Sequence, residues 1–236
     1  MNLTLSRPLI EAFSQYCTAH SLDAPFSRKP LNHIHKHLSK FMEKSIYISS
    51  FEEYIRLISF IYSKDNSLTH IRINEPDFAK IELILNSHNI KLSKFYALFL
   101  SSFLFTSGTF RIRIKDFLSY FMSDNKLDYS YQLVITHDIY KLYTNICRKQ
   151  TNLPFSSLIR AALFYYQNIA PDDLHITESK SVTVTNDTTG WKKFFIRGSL
   201  TFKDYLFELK QKTGKTINCI ANNATYQFLS AMRNTA

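Results

Sequence analysis

Along the chain the spacing of hydrophobic positions changes in a fixed order, and that order is written four times. A short stretch first alternates apolar and polar residues: Leu3 and Leu5; Ile71 and Ile73; Tyr131, Leu133 and Ile135; Phe194 and Ile196. A period of two over so few residues predicts a half-buried strand with one apolar face. The period then lengthens to that of an amphipathic helix at Leu9, Phe13 and Tyr16, at Phe78, Ile81 and Leu85, at Ile139, Leu142 and Ile146, and at Phe202, Tyr205 and Leu209. Pro8 and Pro76 fall in first turns, and Asp138 and Thr201 stand where caps belong. After a turn a second helix is predicted over 31–41, 92–104, 155–166 and 217–228, with Ser27, Ser93, Ser156 and Asn218 at its N-cap.

The turns repeat as well: DAPFSRKPL at 23–31, NIKLSKF at 89–95, NLPFSSL at 152–158 and GKTINCI at 214–220. Their shared apolar position falls at Phe26, Leu92, Phe155 and Ile217, in steps of 66, 63 and 62 residues. Two connectors, Phe51–Tyr62 and 114–121, carry helical periodicity of their own, whereas 169–191 reads as irregular. One strand and two short helices cannot bury a core alone, so units of this kind must pair. Paired antiparallel, their strands form a two-stranded ribbon with four helices on its apolar side and its other face open. Such a ribbon fits the major groove of B-DNA.

This strand, helix, turn, helix unit resembles the ribbon-helix-helix fold of the Met repressor and Arc superfamily. The resemblance is strongest over 131–167, YQLVITHDIYKLYTNICRKQTNLPFSSLIRAALFYYQ, where SSLIRAALFYY is similar to that family's second helix. It implies a mainly α fold with short β-ribbons, built as tandem ribbon-helix-helix units that form two intrachain pseudo-dimers. The first would span 1–128 (units 1–45 and 68–107, each followed by an extra helix) and the second 129–236 (units 129–168 and 192–233). Tandem copies in one chain are known among regulators and nicking accessories of conjugative elements. The function implied is a sequence-specific transcription regulator of double-stranded DNA, carried on a plasmid or other mobile element. Two alternatives stay open: a relaxosome or partition accessory protein, and a helical protein-interaction adaptor that binds no DNA.

Strand parity names the residues that would read bases. With the alternating apolar residues inward, Asn2, Thr4 and Ser6 point out, as do His70, Arg72 and Asn74, then Gln132, Val134 and Thr136, then Phe195, Arg197 and Ser199. Arginine suits guanine, Asn or Gln suits adenine, and Val or Thr meets a thymine methyl, each good bidentate pair discriminating by roughly 1–3 kcal/mol. The N-terminus of each second helix can hold a phosphate on its free N–H groups. There the candidates are Ser27 and Arg28, Ser93 and Lys94, Ser156 and Ser157, and Lys215 with Asn218.

Composition narrows the remaining choices. With 236 residues, 45% of them apolar, the chain can fill one or two cores. Only four glycines argue against glycine-rich phosphate loops. A formal charge of +10 suits a polyanionic partner, and residues 191–236 hold eight Lys or Arg against two acids. Cys17, Cys147 and Cys219 are widely spaced and without a CxxC pair, which predicts core fillers in a reducing compartment. The most lipid-like run, 95–106, is too short to span a bilayer, and no signal peptide precedes it, so a cytoplasmic protein without a membrane partner is expected. His33 and His37 in HIHKH have zinc-chelating spacing but no third ligand, and no GxSxG, Walker or Rossmann sequence occurs. Neither an enzyme nor a cofactor is expected. The partners are double-stranded DNA and, beyond it, RNA polymerase or a relaxase, bound by a monomer with intrachain pseudo-dimers or by a homodimer.

Overall fold

The computed structural model describes residues 2–118, 129–177, 191–198 and 200–235. The chain is mainly helical with short antiparallel two-stranded sheets, and it divides into two compact units, Met1–Met122 and Ser123–Ala236.

The first unit runs through the same succession twice. Strand β1 (Asn2–Ser6) leads into α1 (Arg7–Ala19), α2 (Arg28–His35), a 3-10 turn at Leu38–Glu43, β2 (Ser45–Ile48) and α3 (Phe51–Tyr62). The second pass is β3 (Asn66–His70), α4 (Glu75–His88), α5 (Leu92–Leu104), β4 (Phe110–Arg113) and α6 (Ile114–Phe117). Strands of equal rank pair with each other: β1 with β3, and β2 with β4. The core is aromatic and centres on α5, whose Phe95, Tyr96 and Phe99 are fully buried. Phe99 touches the rings of Phe95, Tyr96, Phe103, Phe41 and His35, so helices from both passes close on it.

Two expectations are corrected here. The second strand lies at Asn66–His70, whereas alternation at Ile71 and Ile73 placed it over 70–74. Its register sets Leu3 opposite Thr69 and Leu5 opposite Ser67, so its inner face is made of hydroxyl residues that hydropathy does not reveal. The connectors also hold strands β2 and β4 before their helices, and α6 covers only Ile114–Phe117 of the helix expected over 114–121; residues 119–121 lie outside the described residues.

His35 is a buried polar group in this apolar interior. Its Nδ1 lies 3.4 Å from Asp77 and its Nε2 2.9 Å from the Tyr96 hydroxyl, which burial keeps protonated and therefore able to donate. Burial lowers the His35 pKa below the ordinary histidine value, and the opposing pull of the Asp77 carboxylate does not cancel it. The unfolded chain therefore takes up this proton first. Stability of the first unit should be full above the free histidine value of about 6.5 and decline as the pH falls below it. Asp77→Asn removes the opposing pull and should steepen the decline; unfolding midpoints between pH 7.5 and 5 check both.

In the second unit, β5 (Tyr129–Thr136) leads into α7 (His137–Asn145), a single turn α8 (Cys147–Gln150) and α9 (Phe155–Asn168). After a 3-10 turn at Pro171–Asp173 come β6 (Trp191–Gly198), α10 (Leu200–Thr213) and α11 (Ile217–Thr235). β5 and β6 pair antiparallel, with Leu133 opposite Phe194 and Tyr131 opposite Ile196 on the covered side. Within the irregular connector, 174–177 lies along α11: Asn223 bonds the Thr177 backbone, and Gln227 bonds that of His175. All three cysteines are buried.

Candidate nucleic-acid interface

Each unit carries a ribbon that joins the opening strands of two successive repeats. On the outward face of the first, Asn2 and Thr4 stand opposite His70 and Leu68, and the Asn2 carboxamide oxygen lies 3.1 Å from Nδ1 of His70. Leu68 is 68% exposed at the middle of this face, which carries no Lys or Arg within the two strands. On the second ribbon Gln132 stands opposite Phe195, Ser130 opposite Arg197 and Val134 opposite Lys193. Gln132 and Lys193 are exposed, and Phe195 is 62% exposed. Both faces thus place a large apolar side chain at the centre of a polar array, an arrangement that can meet base edges with hydrogen bonds around one apolar contact.

Several expected readers have other duties. Ser6 is buried and caps α1, its hydroxyl accepting from Leu9 N–H at 3.3 Å. Asn74 caps α4 and accepts from Asp77 N–H at 2.8 Å. Thr136 occupies the N-cap of α7, its hydroxyl buried. These strands run into their helices without a loop or after a few residues, so the third outward position becomes the cap. Arg72 is exposed but lies beyond the end of β3. Val134 has outward parity yet is buried, because Asn218 and Asn222 of α11 grip that edge of β5. Ser199 lies outside the described residues.

Three of the four second helices begin one residue before the expected cap; only α2 keeps its expected cap, Ser27. Lys91 and Pro154 hold the N-cap positions of α5 and α9, which puts Ser93, Lys94, Ser156 and Ser157 inside the first turns. Ser157 is buried and accepts from Arg160, while Lys94 lies over the Tyr62 ring. Asn218 sits inside α11 with its carboxamide turned to β5; the Thr216 hydroxyl accepts from Cys219 N–H in its stead, and Lys215 lies just before. Asp138 and Thr201 likewise fall inside α7 and α10.

At one place the two classes of candidate meet. A cavity of about 530 Å3 is lined by Ser27, Arg28 and Asn32 at the start of α2, by His70 at the end of β3, and by Arg72 and Asn74 after it. Ser27 is the N-cap of α2; its hydroxyl makes no capping bond and is buried without a hydrogen-bond partner. Beside it a hollow of about 670 Å3 is lined by Arg28, Lys29, His33 and Lys36, with Asp23 paired to Lys29. The field here is positive. Burial first, and then Lys44, His33, Lys40 and Lys36, hold the His37 imidazole below the ordinary histidine range. His33 and His37 stand with ring centres 6.4 Å apart, and among the described residues no cluster of three ligating side chains could hold a metal.

Compared with protein families, with curated proteins and with solved structures, the chain matches none. The functional reading therefore stands on geometry and charge. No helix among the described residues is long and apolar enough to cross a membrane.

Sequence reasoning missed Leu68 and Lys193 as outward residues, and it missed the whole β2–β4 pair. The alternation of Arg111, Ile112, Arg113 and Ile114 was a visible signal for β4. Nothing comparable marks Leu68, whose strand neighbours are Ser67 and Thr69.

Proposed function

We propose that this chain is a sequence-specific duplex-DNA-binding protein, a transcription regulator, in which each unit is an intrachain ribbon-helix-helix pseudo-dimer. The observation that carries the reading is the antiparallel pairing of the opening strands of successive repeats, β1 with β3 and β5 with β6, each ribbon covered on one side and open on the other. The +10 charge and the cationic surroundings of α2 support a polyanionic partner. A strand pair of this width enters the major groove, while helix N-termini beside it meet phosphates.

The test is selection of duplexes from a random pool by the full-length chain, followed by affinity measurements across a salt series. A defined motif should emerge, and affinity should fall steeply with salt. Leu68 and Phe195 should meet thymine methyl groups. Replacing thymine by uracil in the selected duplex should cost about 0.8 kcal/mol per lost contact, roughly fourfold in affinity. Leu68→Ala and Phe195→Ala should each abolish part of that difference. A chain that enriches no motif and holds no duplex at moderate salt is not a DNA reader.

A further inference from the structure

The β2–β4 pair is a second ribbon in the first unit, and neither the repeat pattern nor the reading above assigns it a role. Its register sets Ile46 opposite Ile112 and Ile48 opposite Phe110 on the covered side, with Ser45 opposite Arg113 and Tyr47 opposite Arg111 on the other. Ile46, Ile48 and Ile112 are buried, whereas Arg111 and Arg113 are exposed. In both ribbons equivalent strands of the two halves pair, and α5 packs against β1 and β2 alike. Gly108 fixes the close fit beside this ribbon: a Cβ there would stand 2.6 Å from the Ile48 backbone.

Charge separates the two ribbons. The β1–β3 strands present no Lys or Arg, while this face presents two arginines on one strand, with Lys115 following it; Lys44 before β2 lies over the Phe103 ring, and Glu43 and Asp116 are the acids nearest in sequence. Both guanidinium groups are held by Nε: that of Arg111 donates to the Ser45 hydroxyl at 2.8 Å, and that of Arg113 to Asp116 at 2.7 Å. An arginine anchored in this way loses little further freedom on meeting an acceptor, and its planar fork matches phosphate oxygens. Two such groups on alternate residues of a strand lie about 7 Å apart along it.

We infer that the outward β2–β4 face, through Arg111 and Arg113, is a second duplex-DNA contact surface that holds backbone phosphates. The inference rests on the proposed DNA binding, which it deepens by adding a charged ribbon to an uncharged one. It is tested on the full chain with a selected duplex, comparing wild type, the pair R111A and R113A, and the pair R111K and R113K. Affinity is measured from 50 to 300 mM KCl, about 0.05–0.3 M in the range where counterion release governs binding.

The alanine pair should lose about tenfold in affinity and reduce the salt slope by about two, and the lysine pair should recover most of the slope. Thermal unfolding should be unchanged, since both side chains are exposed. Wild-type binding that the alanine pair leaves intact in affinity and slope overturns this inference alone. So does a loss that lysine fails to recover. Wild type that holds no duplex at all overturns the reading beneath it.

Discussion

Replacing Asn222 by alanine should lower the stability of the second unit by about 2–4 kcal/mol. Asn222 is fully buried on α11, and its carboxamide completes the free edge of β5: Nδ2 donates to Val134 C=O at 2.9 Å, while Oδ1 accepts from Thr136 N–H at 3.1 Å. Asn218, one turn earlier, accepts from Val134 N–H at 3.2 Å. The helix thus supplies side-chain amides where a third strand would supply backbone. Truncation leaves two strand groups without partners in a region closed to water, and each costs about 1–3 kcal/mol. Asn222→Asp should cost no less, since it keeps the acceptor for Thr136 but buries a carboxylate oxygen against the Val134 carbonyl. Denaturant unfolding followed in the second unit decides it; a change below about 0.5 kcal/mol would mean that α11 does not bond this edge.

In the first unit the largest loss is expected at Phe99. Truncation to alanine should cost about 3–5 kcal/mol, the range for a large ring removed from a closed core. The ring is fully buried and contacts Phe41 from the first pass as well as Phe95 and Phe103 on its own helix, so no single neighbour can collapse into the space. Phe99→Leu, which keeps most of the volume, should cost less than about 2 kcal/mol. Equilibrium unfolding of the two variants provides the check, and equal, small losses in both would show that α5 is not the centre of the core.

Both of these positions lie on second helices that the apolar periodicity marked out. The sequence exposes such helices because each buries one continuous stripe, or in α5 and α9 nearly the whole circumference. Strands were legible only where apolar residues alternate. β1 is visible through Leu3 and Leu5, and β5 and β6 through Leu133, Ile135 and Ile196. β3 turns Ser67 and Thr69 inward instead, so its alternation is of size and exposure rather than of polarity, and the reading slid to the apolar Ile71 and Ile73. β2 and β4 are four residues each and exist by virtue of each other.

On the ribbon faces, parity identified Asn2, Thr4, His70 and Gln132 as exposed residues and placed Phe195 among them. What parity could not supply was the competition for the last outward residue of each strand. Ser6, Asn74 and Thr136 belong to helix caps, and helix termini have four N–H groups to satisfy whatever the strand might otherwise do. The burial of Val134 is likewise a tertiary event, set by an amide ladder from a helix more than eighty residues away.

The most direct test of the central claim is photo-crosslinking from the ribbon faces. A benzophenone amino acid placed in the full-length chain at Thr4, at Gln132, or at Leu83 on α4 as an exposed control would be irradiated with a selected, end-labelled duplex. The account predicts adducts at defined bases from Thr4 and Gln132 and none from Leu83. Adducts from Leu83 with none from either ribbon would contradict it.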